Sequence, residues 1–208
     1  TELPRVLPAP PNEPDALPIA GEMQALTRAI AFDGDWTAER KEQIASFFDA
    51  MAEGWRDRDA PVRHDPVLDA LARGGPFPDG WCVEVGSGTG NVTADFRRAF
   101  ADVVALDLSF EMLRLAPARS RQIQSDASML PLRSASAAVL ALVNMFVFPG
   151  EIARVLAGDG VLLHVSTGGD HTPIYLSPAD VMRVLPGEWE GVTAKAGWGT
   201  WLTARRRA

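Results

Sequence analysis

The segment Val83-Glu84-Val85-Gly86-Ser87-Gly88-Thr89-Gly90-Asn91 constrains the fold more than any other part of the chain. An apolar run passes directly into three alternating glycines, and a helical pattern takes over from Val92. Glycines in this position permit positive φ and remove Cβ atoms, so the chain can turn sharply at the carboxyl end of a strand and a ligand can lie against its backbone. Small adenosine-containing ligands bind in crevices of this kind.

The texture around the loop agrees with that placement. Short apolar runs at Trp81 to Val85, Val103 to Leu106, Arg121 to Gln124, Ala138 to Val143 and Val161 to Val165 read as strands. Helical patterns near Val92 to Phe100, Phe110 to Leu115 and Glu151 to Leu156 alternate with them, as right-handed crossover units require. Trp189 to Ala196 and Thr200 to Arg206, joined through Gly197-Trp198-Gly199, read as an antiparallel hairpin at one sheet edge. The expected fold is α/β, a doubly wound, Rossmann-like, mostly parallel sheet of seven strands ending in that hairpin, with helices covering it from the N-terminal side.

Those cover helices begin at Thr37, where Ile44, Phe47, Phe48 and Met51 recur at helical spacing, and continue from Asp65 to Arg73 with Val67, Leu68 and Leu71 inward. Before them Pro4, Pro8, Pro10, Pro11, Pro14 and Pro18 cannot sustain a helix or central strand. The expected division is therefore a proline-rich tail and lead-in over 1–36, a helical cover over 37–78 and a Rossmann-like core over 80–208. Arg205, Arg206 and Arg207 read as a solvated basic terminus.

Composition narrows the partners. Hydrophobic residues make up 47% of the 208, enough for one ordinary soluble core, and the net charge of -7 disfavours a phosphate backbone. The lone cysteine, Cys82, excludes an intramolecular disulfide framework and a multi-thiolate zinc site and fits a reducing, cytoplasmic setting. The longest uncharged stretch, Ser134 to Gly150, is too short and polar for a membrane span. No secretory leader is visible at the N-terminus.

A dinucleotide fold would need G-x-G-x-x-G, and the sixth position here is Asn91. With Glu84 two residues before Gly86, the loop instead resembles the first motif of class I S-adenosylmethionine-dependent methyltransferases. Asp107-Leu108-Ser109-Phe110-Glu111-Met112-Leu113 is similar to the D-x-S-x-x-M-L signature of their small-molecule branch, and Ser125-Asp126-Ala127-Ser128-Met129-Leu130-Pro131 to their G-D-A-x-x-L-P segment. Glu151 to Gly160 resembles the E-x-x-R-V-L-x-P-G-G stretch, with Gly158-Asp159-Gly160 in place of Pro-Gly-Gly. Phe47-Phe48-Asp49 through Trp55 is similar to the F-F-D-x-x-A-x-x-W/Y first-helix motif of the quinone-biosynthesis-like subgroup. The resemblance spans Phe47 to Arg206.

It implies S-adenosyl-L-methionine as cofactor, held by Glu84, Gly86, Ser87, Gly88 and Gly90 of the loop, by Asp107, Leu108 and Met112, by Asp126 and Ala127, and by Asn144 after the fourth strand. Asp107 would accept the ribose hydroxyls, as strand-end carboxylates do in related folds. Asp126 would accept from the adenine amino group, with Leu108 and Met129 on either side of the base. An acceptor of high pKa would need a base, for which His171 in the loop after the fifth strand is the candidate, ahead of His64; His164 reads as a core histidine. Trp36, Trp55, Phe146, Phe148 and Tyr175 are available to line an apolar pocket. The reading is methyl transfer to a small-molecule acceptor, without nucleic acid, membrane span or metal. Its rivals are a nicotinamide-dependent oxidoreductase, disfavoured by the missing Tyr-x-x-x-Lys pair, and a non-catalytic cofactor-binding module.

Overall fold

Four parallel pairings build the body of the sheet. In the computed structural model, which describes residues 1–11, 19–55, 57, 59–117 and 121–207, β1 (Trp81–Val85) lies between β2 (Asp102–Asp107) and β4 (Ala137–Val143), all parallel. Outside these, β3 (Arg121–Gln124) adds to β2 and β5 (Leu156–Ser166) to β4. The hairpin of β6 (Trp189–Ala196) and β7 (Gly199–Arg206) then pairs antiparallel through β7, giving the order β3-β2-β1-β4-β5-β7-β6. This is a seven-stranded, Rossmann-like, mostly parallel topology. The reversal of strand order between β1 and β4 opens a crevice at the carboxyl ends, above the glycine loop.

Because strand side chains alternate, the sheet feeds two cores. Val83, Leu140 and Leu162 share one with Ile152 and Val155 of α6 (Pro149–Val155) and Val181 of α7 (Pro178–Val184). Cys82, Val139 and Leu163 share the other with Val67 and Ala70 of α3 (Pro61–Arg73) and Phe96 of α4 (Thr93–Ala99). Burial on both faces explains the continuous apolar run of β4.

The cover departs from the sequence reading in three places. Residues assigned to the lead-in form α1 (Ala20–Asp33), whose Met23, Thr27, Ile30 and Ala31 are buried at helical spacing and which Gly34 ends in the left-handed conformation. The helix expected from Asp65 starts at Pro61, where a missing amide costs nothing in the first turn, and Leu68 is exposed rather than inward. The proline-rich stretch is not a free tail over its described part. Leu3 donates its amide to Thr193 on the β6 edge, and the carbonyls of Pro4, Leu7 and Pro10 accept from Arg73, the Gly197 amide and the Trp198 indole. Prolines lack a donor, so Pro4 and Pro10 take part only through their carbonyls, while Thr1 and Leu3 also donate to β6. Pro14 and Pro18 lie outside the described residues.

The C-terminal arginines also differ from expectation. Arg205 donates to the carbonyls of Gly74 and Pro76, and Arg206 to those of Ala153 and Leu156 while covering the Trp189 ring, so both are structural members of β7. Among the described residues no helix is long and apolar enough to cross a membrane.

Candidate active site

Gly86, Gly88 and Gly90 all have positive φ, at 74°, 55° and 79°, the conformation that L side chains resist. A Cβ on Gly86 would come within 2.5 Å of Met145 Sδ, and one on Gly88 within 3.4 Å of the Trp55 indole nitrogen. The loop is thus pressed between the end of β4 and α2 (Ala38–Trp55). It forms the floor of a cavity of about 520 Å³, within the usual size of a small-molecule site.

The predicted residues divide sharply by position. Glu84, Gly86, Ser87 and Gly88 line the cavity from the floor, Asp107, Leu108 and Met112 from the β2 end, and Ala127, Asn144 and His171 from the loops that follow β3, β4 and β5. Gly90 is not part of the wall; it faces Pro117 and Thr93 and so sets the path of the loop from behind. Asp126 is also behind the wall, in a shallow outer groove that meets the cavity at Leu108 and Ser125. Its carboxylate is held by the Trp36 indole at 3.1 Å, the Ser128 amide at 2.9 Å and Lys41 at 3.7 Å. Met129 is 78% exposed and takes no part in the cavity wall, contrary to its expected place beside the base.

Asp107 is committed to the backbone on both oxygens. Gly88 donates to one at 2.7 Å and Ser109 to the other at 2.8 Å, so the carboxylate ties the glycine loop to the turn into α5 (Phe110–Leu115). Burial raises its pKa while these amides lower it, and the net direction is upward. Glu84 is fully buried, accepts the Thr93 hydroxyl at 2.6 Å and has its pKa pushed up to about 8, first by burial and then by the charges of Asp107 and Asp95. Beside it the buried Ser87 hydroxyl has no hydrogen-bond partner. A buried hydroxyl without a partner on a cavity floor is free to meet a polar group of a ligand.

Asn144 meets the cavity with a side chain already in use. It adopts φ 50°, donates to the Thr167 hydroxyl at 2.9 Å and accepts the Thr167 amide at 2.8 Å, bracing the ends of β4 and β5 together. His171 stands in a single 3-10 turn, Gly169–His171, with its side chain 45% exposed and Asp170 3.8 Å away. His164 is buried in β5, and burial alone lowers its pKa to about 4. Among the described residues no group of His, Cys, Asp and Glu could hold a metal ion.

The roof is apolar. Met23 of α1, Ile44, Phe47, Phe48 and Met51 of α2, and Phe146 and Ile174 from the core close over the floor. Trp36 and Trp55 line it as expected, whereas Phe148 only backs Trp36 edge-on and Tyr175 is not in the wall. Gln24 of α1 pins the loop after β5 by donating to the carbonyls of Asp170 and Thr172. Asp59 at the rim was not singled out in the sequence. His64 holds it at 3.0 Å and is held in turn by buried Asp95 at 2.5 Å. Burial would lower the His64 pKa, but the Asp95 and Asp59 carboxylates carry it upward. This set joins α3, α4 and the segment before α3, and no local spacing signals it.

Residues 83–164 match a family model described as a methyltransferase domain. No curated protein matches the chain. Solved structures share the fold, among them three methyltransferases. A S-adenosylmethionine-dependent methyltransferase of Thermotoga maritima is 16% identical with a TM-score of 0.61, over 78% of this chain and 99% of that one. The methyltransferase in the complex with the Trm112 methyltransferase activator of Haloferax volcanii is 17% identical with a TM-score of 0.59, over 77% and 98%. A S-adenosyl-L-methionine-dependent methyltransferase of Methanococcus maripaludis is 18% identical with a TM-score of 0.56, over 79% and 92%. The matched domain covers the glycine loop, the β2 end and the strands that carry them. The chain thus carries a methyltransferase domain over residues 83–164, on a fold that solved S-adenosylmethionine-dependent methyltransferases share.

Proposed function

We propose that this chain is a methyltransferase that takes S-adenosylmethionine as cofactor and acts on a small, largely apolar acceptor, as the small-molecule, quinone-biosynthesis-like branch does. The observation that carries the reading is the division of the cavity into a polar floor, with an unpartnered buried Ser87 hydroxyl, and an apolar roof to which α1 and α2, outside the matched domain, contribute Met23, Ile44, Phe47, Phe48 and Met51. When bound, the cofactor supplies a methyl group on a positively charged sulfur. The chain's part is to hold both reactants in line and to exclude water.

In this reading Gly86, Ser87 and Gly88 cradle the methionyl end, with Glu84 beneath it. Asp107 takes the ribose hydroxyls on the lone pairs that its two backbone bonds leave free. Leu108, Met112 and Ala127 form the adenine wall, and Asp126 reaches the adenine edge from the outer groove. Gly90 and Asn144 act by shaping the loop and the strand ends. His171 is the base that receives the acceptor's proton, with Asp170 3.8 Å from its ring.

Calorimetry with S-adenosylmethionine, S-adenosylhomocysteine and NAD, followed by transfer of labelled methyl groups to a metabolite panel, tests the assignment. Tight binding of the first two, none of NAD and label in a small product are expected. Binding without turnover on any acceptor would instead favour a non-catalytic module. The Haloferax volcanii relative is complexed with an activator. Label appearing only in macromolecules, and only when a partner is added, would favour a larger acceptor over a small one.

A further inference from the structure

α2 touches the cofactor cradle at two points, and both belong to the Phe47-to-Trp55 motif, whose acidic member has no role in the reading above. Asp49, half-buried and outside the cavity wall, accepts the Ser109 hydroxyl and, at 3.2 Å, the Glu111 amide. At the end of the same helix Trp55 lies over Gly88. Ser109 is engaged on every side. Its hydroxyl also accepts the Met112 amide at 3.1 Å as the cap of α5, and its own amide reaches Asp107. Asp107 in turn holds the Gly88 amide.

One unbroken path therefore runs from α2 through Ser109 and Asp107 to the glycine loop, and Trp55 returns it to α2. Ser109 satisfies one first-turn amide of α5, that of Met112, and Asp49 a second, that of Glu111, so Asp49 shares in capping that helix as well as meeting the Ser109 hydroxyl. What it adds is a fixed link between the cover and the strand-end carboxylate. We propose that Asp49 is a positioning residue that couples occupation of the cofactor cradle to closure of α2, so that the chamber bounded by Ile44, Phe47, Phe48 and Met51 is complete only after the cofactor is in place. The inference rests on the reading that the cradle takes S-adenosylmethionine through Asp107. Coupling of this kind is reciprocal: whatever tightens Asp107 and Ser109 tightens α2, and a closed α2 holds the cofactor more firmly. Binding is then ordered, cofactor before acceptor.

Hydrogen exchange of the full chain with and without S-adenosylhomocysteine reads the coupling directly. In the wild type the ligand is expected to slow exchange about tenfold or more in α2 as well as in the glycine loop. Asp49→Ala is expected to keep the loop protection, lose that of α2 and bind S-adenosylhomocysteine several-fold more weakly. Asp49→Asn is expected to restore both, because its amide oxygen accepts the same two bonds. Ser109→Ala removes the hydroxyl that meets Asp49 yet keeps the amide that meets Asp107, and so uncouples α2 even if Asp49→Ala does not fold. Ligand protection of α2 that survives in either alanine variant, or that is missing from the wild type while the loop is protected, overturns the coupling. Loop and α2 both unprotected by the ligand would overturn the cradle reading and the coupling with it.

Discussion

The floor and the roof of the cavity are built on different physics. On the floor, polar groups are held by backbone amides or sit buried without a partner, as Asp107 and Ser87 do, and the glycines define where a ligand can lie. On the roof, Met23, Ile30, Ile44, Phe146 and Ile174 form a separate apolar cluster, anchored at its edges by Gln24, the Arg28–Asp180 pair and the Trp36–Asp126 bond. A floor of directed hydrogen bonds selects one ligand and fixes its orientation. An apolar roof selects by shape and size alone and can change its acceptor by a few side-chain substitutions. In the proposed function the floor is thus an exacting site for the cofactor and the roof an adaptable one for the acceptor.

Substitutions on the two surfaces should separate cofactor affinity from turnover. The largest effect is expected of Gly88→Val, which places a branched side chain at φ 55° and into the cavity. Calorimetry should show no S-adenosylhomocysteine binding, while the strain of about 1–2 kcal/mol lowers Tm by only about 2–8 °C. Retained affinity would mean that the loop does not meet the ligand. On the opposite wall, His171→Ala should lower kcat roughly 100-fold or more and leave S-adenosylhomocysteine affinity unchanged, if a base is needed there. An unaltered kcat would take His171 out of the chemistry. Asp107→Ala should weaken cofactor binding by about 1.5–3 kcal/mol, or roughly ten- to 150-fold, since a charged acceptor is lost. An unchanged titration would remove it from the sugar site.

The smallest effect sharpens the comparison within the floor itself. Glu84 has a folded-state pKa raised to about 8, so it favours the ligand-free fold while protonated, and that contribution fades as pH rises from its unfolded value through about 8. Tm of the ligand-free wild type should fall over this window, whereas Glu84→Gln should flatten the profile, with its advantage greatest above pH 8. Parallel profiles would show that Glu84 is already ionised in the fold.

Much of the floor was legible because its causes are local. Three alternating glycines after an apolar strand require a tight turn, and β1, β3 and α5 lie where the pattern put them, from Trp81–Val85, Arg121–Gln124 and Phe110–Leu115. Ser109 serves as the cap its type suggested. α1 was hidden by its neighbourhood: Met23, Thr27, Ile30 and the stop at Gly34 carry a helical signal, but the prolines before them drew the whole stretch into a lead-in. Asp49 was legible only as a member of the Phe47-to-Trp55 motif and its link to Ser109, sixty residues on, not at all, while Asp59 is tied through His64 to Asp95 of α4, which no local spacing shows.

By itself, then, the sequence determined where backbone conformation is forced: the glycine bend, the alternation of strands and helices, and the closing hairpin. Which side chains share a wall was decided only in three dimensions. Asp126 and Met129 stand in the motif beside Ala127, yet Ala127 alone lines the cavity, because Trp36 holds the Asp126 carboxylate outside it and Met129 points to solvent. Periodicity and glycine placement act over a few residues. The direction of a carboxylate depends on which distant donor reaches it first.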